Sequence, residues 1–239
     1  MKKLEMFAKV IGDLQKTEYF KDFTFLKSKK AFILKDALGF FGFYFRTLDG
    51  IKDNELTLEL DFRIARRYDI LHKWFEPFWH YPIREQRDIR TIGFPIWDKD
   101  WNYRHGLHWD FRLDGVDYEK DFIEMYNRIV PQCQYQQNRF KTLQDMYDVY
   151  IDDILNGNIL FSNRTITPQG DIFEYMALCL IVNPAKYPLL KQFYLELIDK
   201  RLKKGDPNFT KYGDINSFHE IFNYLENYDF SKELKKCGL

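Results

Sequence analysis

The sequence predicts an α+β protein, built from an antiparallel β-meander with an opening helix and C-terminal helices packed on one face of the sheet. Apolar and polar residues alternate without a break from Glu55 to Ile64, which is the pattern of a half-buried strand. Strand-like runs come first and helical runs second, and this segregation is typical of α+β architecture. No Gly/Ser-rich linker separates the strand-rich residues 1–114 from the helical residues 115–239, so we expect a single domain over residues 1–239.

The first predicted element is an amphipathic helix over residues 2–16. Its apolar residues recur at helical spacing at Leu4, Phe7, Ala8, Ile11 and Leu14. Short β-rich runs follow at residues 23–26, 31–35 and 40–48, with turn signals between them and at residues 49–50. Together with the alternating strand, these runs predict a four-stranded meander.

The alternating strand is expected to have two different faces, because successive side chains of a strand point to opposite sides. The residues predicted to point into the core are Leu56, Leu58, Leu60, Phe62 and Ile64. The residues of the polar row are Glu55, Thr57, Glu59, Asp61 and Arg63. An ordinary antiparallel sheet with one wet face also displays such a row, so the row alone does not define a function.

The rest of the chain is predicted to be largely helical. Residues 68–79 return to helical periodicity, and Pro82 sets the latest end of that helix. Residues 80–114 are the least regular part and contain two predicted strands. Further helices are predicted at about residues 117–130, 140–156, 170–182, 186–204 and 214–227, divided by proline and glycine, with Pro131 ending the first of them.

The composition argues against several functional classes. The 36 basic and 36 acidic residues cancel, so nucleic-acid binding is not expected. No run reaches the ~18 apolar residues of a membrane span, and charges interrupt residues 1–10 too often for a signal peptide. The spacing of Cys133, Cys179 and Cys237 fits neither a disulfide framework nor a zinc site of paired cysteines. We therefore expect a cytoplasmic protein without membrane contact.

The common catalytic signatures are absent from the sequence. It has no Gly-rich phosphate loop, no G-x-S-x-G nucleophile elbow, no H-E-x-x-H motif and no calcium loop. We therefore predict no cofactor and assign no catalytic residue.

The candidate metal ligands are His108, Asp110, Glu59 and Asp61. His108 and Asp110 are two apart on a predicted strand, so they project from one face, and Glu59 and Asp61 on a neighbouring polar face could complete a site. The alternative interpretation is that His108 and Asp110 form a hydrogen-bonded pair on a solvated face.

All five tryptophans fall in one segment of the chain: Trp74, Trp79, Trp97, Trp101 and Trp109. Aromatic side chains with polar handles favour interfaces and stacking platforms, and arginines lie in the same segment. The residues that we assign to an interaction surface on this basis are Trp79, Trp97, Trp101, Trp109, Arg84 and Arg87. Alternatively, the large side chains anchor the irregular segment of residues 80–114 to the core.

Three arginines precede the helix predicted at residue 68. Arg63, Arg66 and Arg67 could bind an anion with support from the helix dipole. Asp69 also satisfies that dipole, however, which leaves the arginines for surface ion pairs, and we favour this second interpretation.

The order of parts resembles uncharacterised bacterial α+β domains that have been grouped with immunity proteins of polymorphic toxin systems. The resemblance rests on the opening helix, on meander strands that read like residues 25–32 (FLKSKKAF), and on the strand and helix of residues 58–79. It covers residues 1–80 and, more loosely, residues 140–200. It implies a toxin as protein partner, and it carries over no catalytic residues.

The leading functional hypothesis is therefore a non-enzymatic protein-interaction module, with neutralisation of a toxin as its sharpest form. One alternative is a divalent-metal-dependent hydrolase or nuclease that uses the four candidate ligands. A second alternative is a small-ligand-binding module in which the tryptophans line an aromatic cleft.

Overall fold

The computed structural model describes residues 1–52, 55–78, 90–95, 108–156 and 168–239. The chain divides into two compact units. The first comprises Met1–Asp36, Phe40–Arg66 and Gly93–Asn138, and the second comprises Ala37–Gly39, Arg67–Ile92 and Arg139–Leu239. Folding of residues 1–239 as a single domain stays a prediction.

The strands of the described residues form one antiparallel sheet. They are β1 (Thr24–Leu26), β2 (Ala31–Asp36), β3 (Gly39–Lys52), β4 (Glu55–Tyr68), β5 (Ile92–Pro95) and β6 (His108–Arg112). Neighbouring strands follow the order β1-β2-β3-β4-β5, and β6 also pairs with β4. The predicted meander is confirmed.

The described helices open the chain, follow β4 and make up the C-terminal half. They are α1 (Lys3–Gln15), α2 (Asp69–Lys73), α3 (Tyr118–Arg139), α4 (Leu143–Leu155), α5 (Phe173–Val182), α6 (Tyr187–Lys203), α7 (Pro207–Thr210), α8 (Ile215–Glu226) and α9 (Ser231–Lys236). The predicted opening helix and C-terminal helices are therefore confirmed, and so is the α+β class. None of the helices within the described ranges is both long and apolar enough to cross a membrane.

One face of the sheet carries the core of the first unit. Its alternating residues are Phe41, Phe43 and Phe45 of β3, Leu58, Leu60, Phe62 and Ile64 of β4, and Phe111 of β6. The helices α1 and α3 bury apolar residues against the same cluster. We call this side of the sheet the core face. The helices α1 and α3 pack on this face, which the period-2 pattern of β4 predicts to be the buried one.

Two helix boundaries differ from the prediction because proline acts differently at each. The helix α3 continues through Pro131, since one lost backbone hydrogen bond is outweighed by burial of Met125, Ile129 and Cys133 on both sides of it. After α2 the chain turns into a short 3-10 helix, Glu76–Phe78, because Pro77 disfavours the α conformation at the preceding residue.

The second unit is built around α5, whose residues from Phe173 to Cys179 are all buried. A helix buried on every side lies in the middle of a core. The ring of Phe173 stacks on that of Phe75 at a centroid distance of 4.2 Å, and it also packs against Phe218 and Tyr212. Aromatic packing of this kind joins the residues that follow α2 to α5 and α8.

The helix α4 begins with a capping box. Thr142 accepts a hydrogen bond from the backbone N–H of Asp145 at 3.1 Å, and the Asp145 carboxylate accepts one from the backbone N–H of Thr142 at 2.8 Å. We expect Thr142→Ala to lower the free energy of unfolding by about 1 kcal/mol, because an orphan N–H loses its acceptor. Urea unfolding of this variant and of Thr142→Ser measures the effect. An equal loss in the serine variant, which keeps the hydroxyl, would contradict the capping role.

Candidate functional site

The four predicted metal ligands lie on the sheet face opposite the core face. In the register of β4 and β6, Glu59 is opposite Asp110 and Asp61 is opposite His108. The Nδ1 atom of His108 lies 2.8 Å from Oε1 of Glu59. The hydroxyl of Thr57 donates a hydrogen bond to Oδ1 of Asp110 at 3.1 Å. The sheet thus brings the predicted residues together, but it holds His108 and Asp110 in cross-strand pairs. Asp61 lies 3.9 Å from Arg63 of its own strand.

These pairs do not form a cluster of metal ligands. In the described part of the chain, no three His, Cys, Asp or Glu side chains are grouped so that they could hold one metal ion. A metal ion needs several ligand atoms about 2 Å from a single point. In a hydrogen-bonded pair, the atoms that could bind a metal contact each other instead. The geometry supports the hydrogen-bonded interpretation, with the correction that His108 pairs with Glu59 and Asp110 with Thr57.

The polar row is less solvated than the sequence predicts. Thr57 and Asp61 are buried, whereas Arg63 is exposed. The cause at Thr57 is the close approach of β3, because a Cβ atom built on Gly50 would lie 2.5 Å from Thr57 Oγ1 and 2.9 Å from Asp110 Oδ1. Glycine at position 50 lets these side chains lie against the β3 backbone. The prediction that residues 49–50 form a turn is wrong, since both lie within β3.

The pair of Glu59 and His108 is expected to contribute little stability. Both side chains are partly solvated, and solvent screens their attraction. We therefore expect Glu59→Gln to change the free energy of unfolding by less than about 1 kcal/mol. Urea unfolding at neutral pH tests this, and a loss of several kcal/mol would contradict it.

Addition of Zn²⁺ or Mn²⁺ tests the alternative of a metal-dependent enzyme. A true site would raise the unfolding temperature of the chain, because an ion that binds only the native state stabilises it. That rise would disappear in His108→Ala. Because the candidate ligands form hydrogen-bonded pairs, we expect no rise in the unfolding temperature that depends on His108.

The predicted interaction surface falls mostly outside the described residues. Trp79, Arg84, Arg87, Trp97 and Trp101 all lie there. Trp109 is described, and it is partly buried against the core cluster of the first unit. The guanidinium of Arg128 lies 5.5 Å from its ring centroid, which is a cation–π distance. For Trp109, this position supports the interpretation that the aromatic segment is pinned to the core.

A group of exposed apolar side chains lies at one end of the core face. They are Met1, Leu4, Ile51, Leu56 and Val116, with 51%, 77%, 75%, 65% and 49% of their surface exposed. We call this group the end patch. All five residues belong to the first unit. The prediction that Leu56 points into the core is wrong.

Backbone contacts bring the end patch together. The main-chain nitrogen of Met1 donates to the Leu113 carbonyl, and the N–H of Leu113 donates to the Leu56 carbonyl at 3.1 Å. Lys3, beside Leu4, forms an ion pair with Asp49, two residues before Ile51. Val116 follows directly after the turn that begins at Leu113. The patch therefore joins α1, the end of the β3–β4 hairpin and the turn before α3.

The lengths of the elements explain why this end of the core face is uncovered. The strands β3 and β4 have 14 residues each, or about 46 Å at ~3.3 Å per residue. The helix α1 has 13 residues, or about 20 Å at ~1.5 Å per residue. The other helix on this face, α3, has 22 residues, or about 33 Å, so neither helix is as long as these strands. Exposure of Ile51 and Leu56 could therefore have been anticipated from element lengths, but not from the alternation alone.

The second unit contains a buried polar group that the sequence analysis missed. The Nε2 atom of His72 lies 2.8 Å from Thr91 Oγ1, and its Nδ1 atom lies 3.4 Å from Glu174 Oε1. Burial, and then the positive charge of Arg67, hold the pKa of His72 well below its ordinary value. The imidazole is therefore neutral at neutral pH. His72 and Glu174 are 102 positions apart in the sequence, and no motif links them.

The arginines before α2 form ion pairs, as the favoured interpretation predicts. Arg66 lies 2.6 Å from Asp36 and Arg67 lies 2.5 Å from Asp69. Both guanidinium groups are buried rather than at the surface, which corrects the prediction of surface pairs. Buried arginines that already contact carboxylates are poor sites for a free anion.

A groove and the three cysteines of the described residues give little support to a small-ligand-binding module with an aromatic cleft, or to an enzyme. A groove of about 410 Å³ in the second unit is lined by Tyr187, Pro188, Lys191, Gln192, Leu195, Glu196 and Glu226, and none of these is a tryptophan. All three cysteines are free. Burial raises the pKa of Cys133 and raises that of Cys179 to about 11, so both remain protonated thiols at neutral pH.

In comparisons with known proteins, the chain matches no family model, no curated protein and no solved structure. The resemblance to immunity proteins consequently rests on the sequence features quoted for it, and it stays a prediction.

Proposed function

We propose that the protein is a non-enzymatic protein-interaction module that binds its partner through the end patch. The observation that supports this most strongly is the exposure of five large apolar side chains at one end of the core face. Apolar surface in contact with water is unfavourable, and a contiguous apolar group on a folded protein marks an interaction site. A protein partner would remove this surface from water.

The position of the patch favours a protein partner over a small ligand. The patch spans a helix, a hairpin end and a turn, and between 49% and 77% of each of its side chains is exposed, so these side chains are not enclosed in a cleft. Small-molecule sites are concave and enclose most of the ligand. In its sharpest form, which draws on the sequence resemblance alone, the partner is a toxin that the module neutralises.

The proposal predicts that a charge in the patch abolishes partner binding. Leu56→Asp places a carboxylate in the middle of the apolar group, where partner binding would have to desolvate it. Leu189→Asp is a matched control, because Leu189 is an exposed leucine of the second unit, with 51% of its surface exposed. Tagged wild-type chain and both variants are used to capture proteins from the source cells, with quantitative mass spectrometry as the readout.

We expect at least one protein to be retained by the wild type and by Leu189→Asp but lost with Leu56→Asp. Circular dichroism of both variants controls for folding, and exposed substitutions change stability by only about 0.5 kcal/mol. Retention of every captured protein by Leu56→Asp, or capture of no specific protein by the wild type, would contradict the proposed function.

A further inference from the structure

The outer half of β3 forms an open sheet edge in the described part of the chain. The hairpin partner β2 begins at Ala31, and the last backbone hydrogen bond from β3 toward it runs from the Phe45 N–H to the Lys30 carbonyl at 2.8 Å. The strand β3 continues to Lys52. Its residues beyond Phe45 pair with β4 on one side, and no described strand lies on the other. Such an edge is a template for another strand.

The direction of the Phe45 hydrogen bond identifies the backbone groups at the open edge. Successive N–H groups of a strand point to opposite sides, with a period of two residues. Since the Phe45 N–H points toward β2, the N–H and carbonyl groups of Thr47, Asp49 and Ile51 point the same way, into the open edge. The groups of Leu48 and Gly50 point toward β4.

The open edge and the end patch are continuous. Ile51 belongs to both, and Asp49 is bound by Lys3, the neighbour of Leu4 on α1. The ring of Phe7 packs 5.9 Å from that of Phe45, and Leu4 precedes Phe7 by three residues on the same helix. Leu4 therefore lies near the outer half of β3 on its core-face side, one helical turn beyond Phe7.

We infer that an extended segment of the partner protein adds to the sheet as a strand along Thr47–Ile51. This inference rests on the proposed function and specifies its mode. Backbone hydrogen bonds to the open edge supply affinity, and alternate side chains of the added strand lie on the core-face side, where Leu4, Ile51 and Leu56 offer apolar contacts. The segment thus carries apolar residues at every second position.

The charges beside the patch indicate that the segment is also basic. Glu55 and Asp117 are exposed next to Leu56 and Val116, and Asp49, whose carboxylate contacts Lys3, keeps 88% of its side chain exposed. Each of these carboxylates therefore adjoins an apolar residue of the patch or the open edge. Lysine or arginine residues in or beside the added strand would complement Glu55 and Asp117 and speed association.

The same charges disfavour a second copy of this chain as the added strand. Antiparallel pairing of two β3 edges about Asp49 would set two carboxylates directly opposite each other, which is destabilising. Charged residues on an edge strand are a common means of preventing such self-association.

Thr47→Pro tests strand addition, because proline removes an N–H from the open edge and leaves the bonds to β4 intact. Thr47→Val is the matched control, since it also removes the hydroxyl that accepts a hydrogen bond from Lys30 at 2.7 Å but keeps the N–H. Peptides of 12 random residues displayed on phage are selected on the full wild-type chain. Synthetic copies of the enriched peptides are then titrated against both variants and Leu56→Asp, whose folding is checked by circular dichroism.

We expect the enriched peptides to carry apolar residues at every second position and a net positive charge, and to bind Thr47→Pro at least about tenfold more weakly than Thr47→Val. Equal binding to the two variants, with loss only in Leu56→Asp, would overturn strand addition while leaving an interaction through the patch. Enrichment of no alternating peptide would also overturn it. A wild-type dimer that becomes monomeric in Thr47→Pro, measured by sedimentation, would show that a second copy occupies the edge instead.

Discussion

Replacement of Phe43 by alanine is expected to lower the free energy of unfolding by about 3–5 kcal/mol. Phe43 is fully buried on the core face. Its ring lies 4.8 Å from that of Phe45, 5.3 Å from that of Phe20 and 5.5 Å from that of Phe62. These rings come from β3, β4 and the turn after α1, so they cannot close together over the lost volume without moving whole elements. The variant therefore keeps most of a ring-sized cavity.

This prediction is measured by urea unfolding followed by circular dichroism, with Phe193→Ala as the control. Phe193 has 43% of its surface exposed, so its truncation should change stability by only about 0.5 kcal/mol. Natural domains are stable by about 5–15 kcal/mol, and the Phe43 variant should consequently be poorly soluble or largely unfolded on mild heating. A loss below about 1 kcal/mol would show that the core of the first unit is not packed as described.

The buried imidazole of His72 is expected to make the protein less stable as the pH falls below about 6.5. Burial is the main cause of its lowered pKa, and Arg67 adds to it. The charged groups near it come from different elements, Arg67 from β4 and Glu174 from α5. In the unfolded chain, His72 takes up a proton near pH 6.5, whereas the folded chain does so only at lower pH.

The sign of the pH dependence follows from this difference. Between the lowered folded value and about pH 6.5, the unfolded state binds more protons, so stability falls as the pH falls. One such group contributes about 1.4 kcal/mol per pH unit, so a fall of two pH units costs up to about 2.7 kcal/mol. The loss continues until the pH reaches the folded pKa of His72.

The matched variants for this prediction are His72→Gln and His219→Gln. His219 is exposed on α8, so its replacement removes a histidine without disturbing the core. We expect the stability curve of His72→Gln to be flatter than that of the wild type between pH 6.5 and 4.5, measured by urea unfolding at half-unit intervals. Parallel curves for the wild type and His72→Gln would contradict a neutral, buried imidazole.

Local periodicity predicted the elements of the first unit, because each depends on residues close together in the sequence. The alternation from Glu55 to Ile64 identified β4, and the spacing from Leu4 to Leu14 identified α1. The failure at Leu56 has a different origin. Alternation assigns a side chain to a face, but it does not say whether another element reaches far enough to cover that face.

The candidate sites were harder to predict than the elements, since they depend on which distant residues meet. The sheet register brings His108 to Glu59 and leaves Asp110 to Thr57, and neither pairing follows from spacing along one strand. His72 and Glu174 lie on α2 and α5, so only the packing of the second unit joins them. The open edge of β3 depends on the difference in length between β2 and β3, and the sequence pattern predicts an end of β3 at residue 48, four residues before its end at Lys52.

Amide hydrogen exchange along β3, followed by NMR in the free chain, tests directly whether the edge at Thr47–Ile51 is open to an added strand. If the outer half of β3 is an open edge, the N–H groups of Thr47, Asp49 and Ile51 exchange with water, while those of Leu48 and Gly50 are held by β4. We predict this alternation, with exchange about tenfold or more faster at the three edge residues. Equal protection of all five amides would mean that the edge is already occupied, and it would contradict the binding mode inferred for this protein.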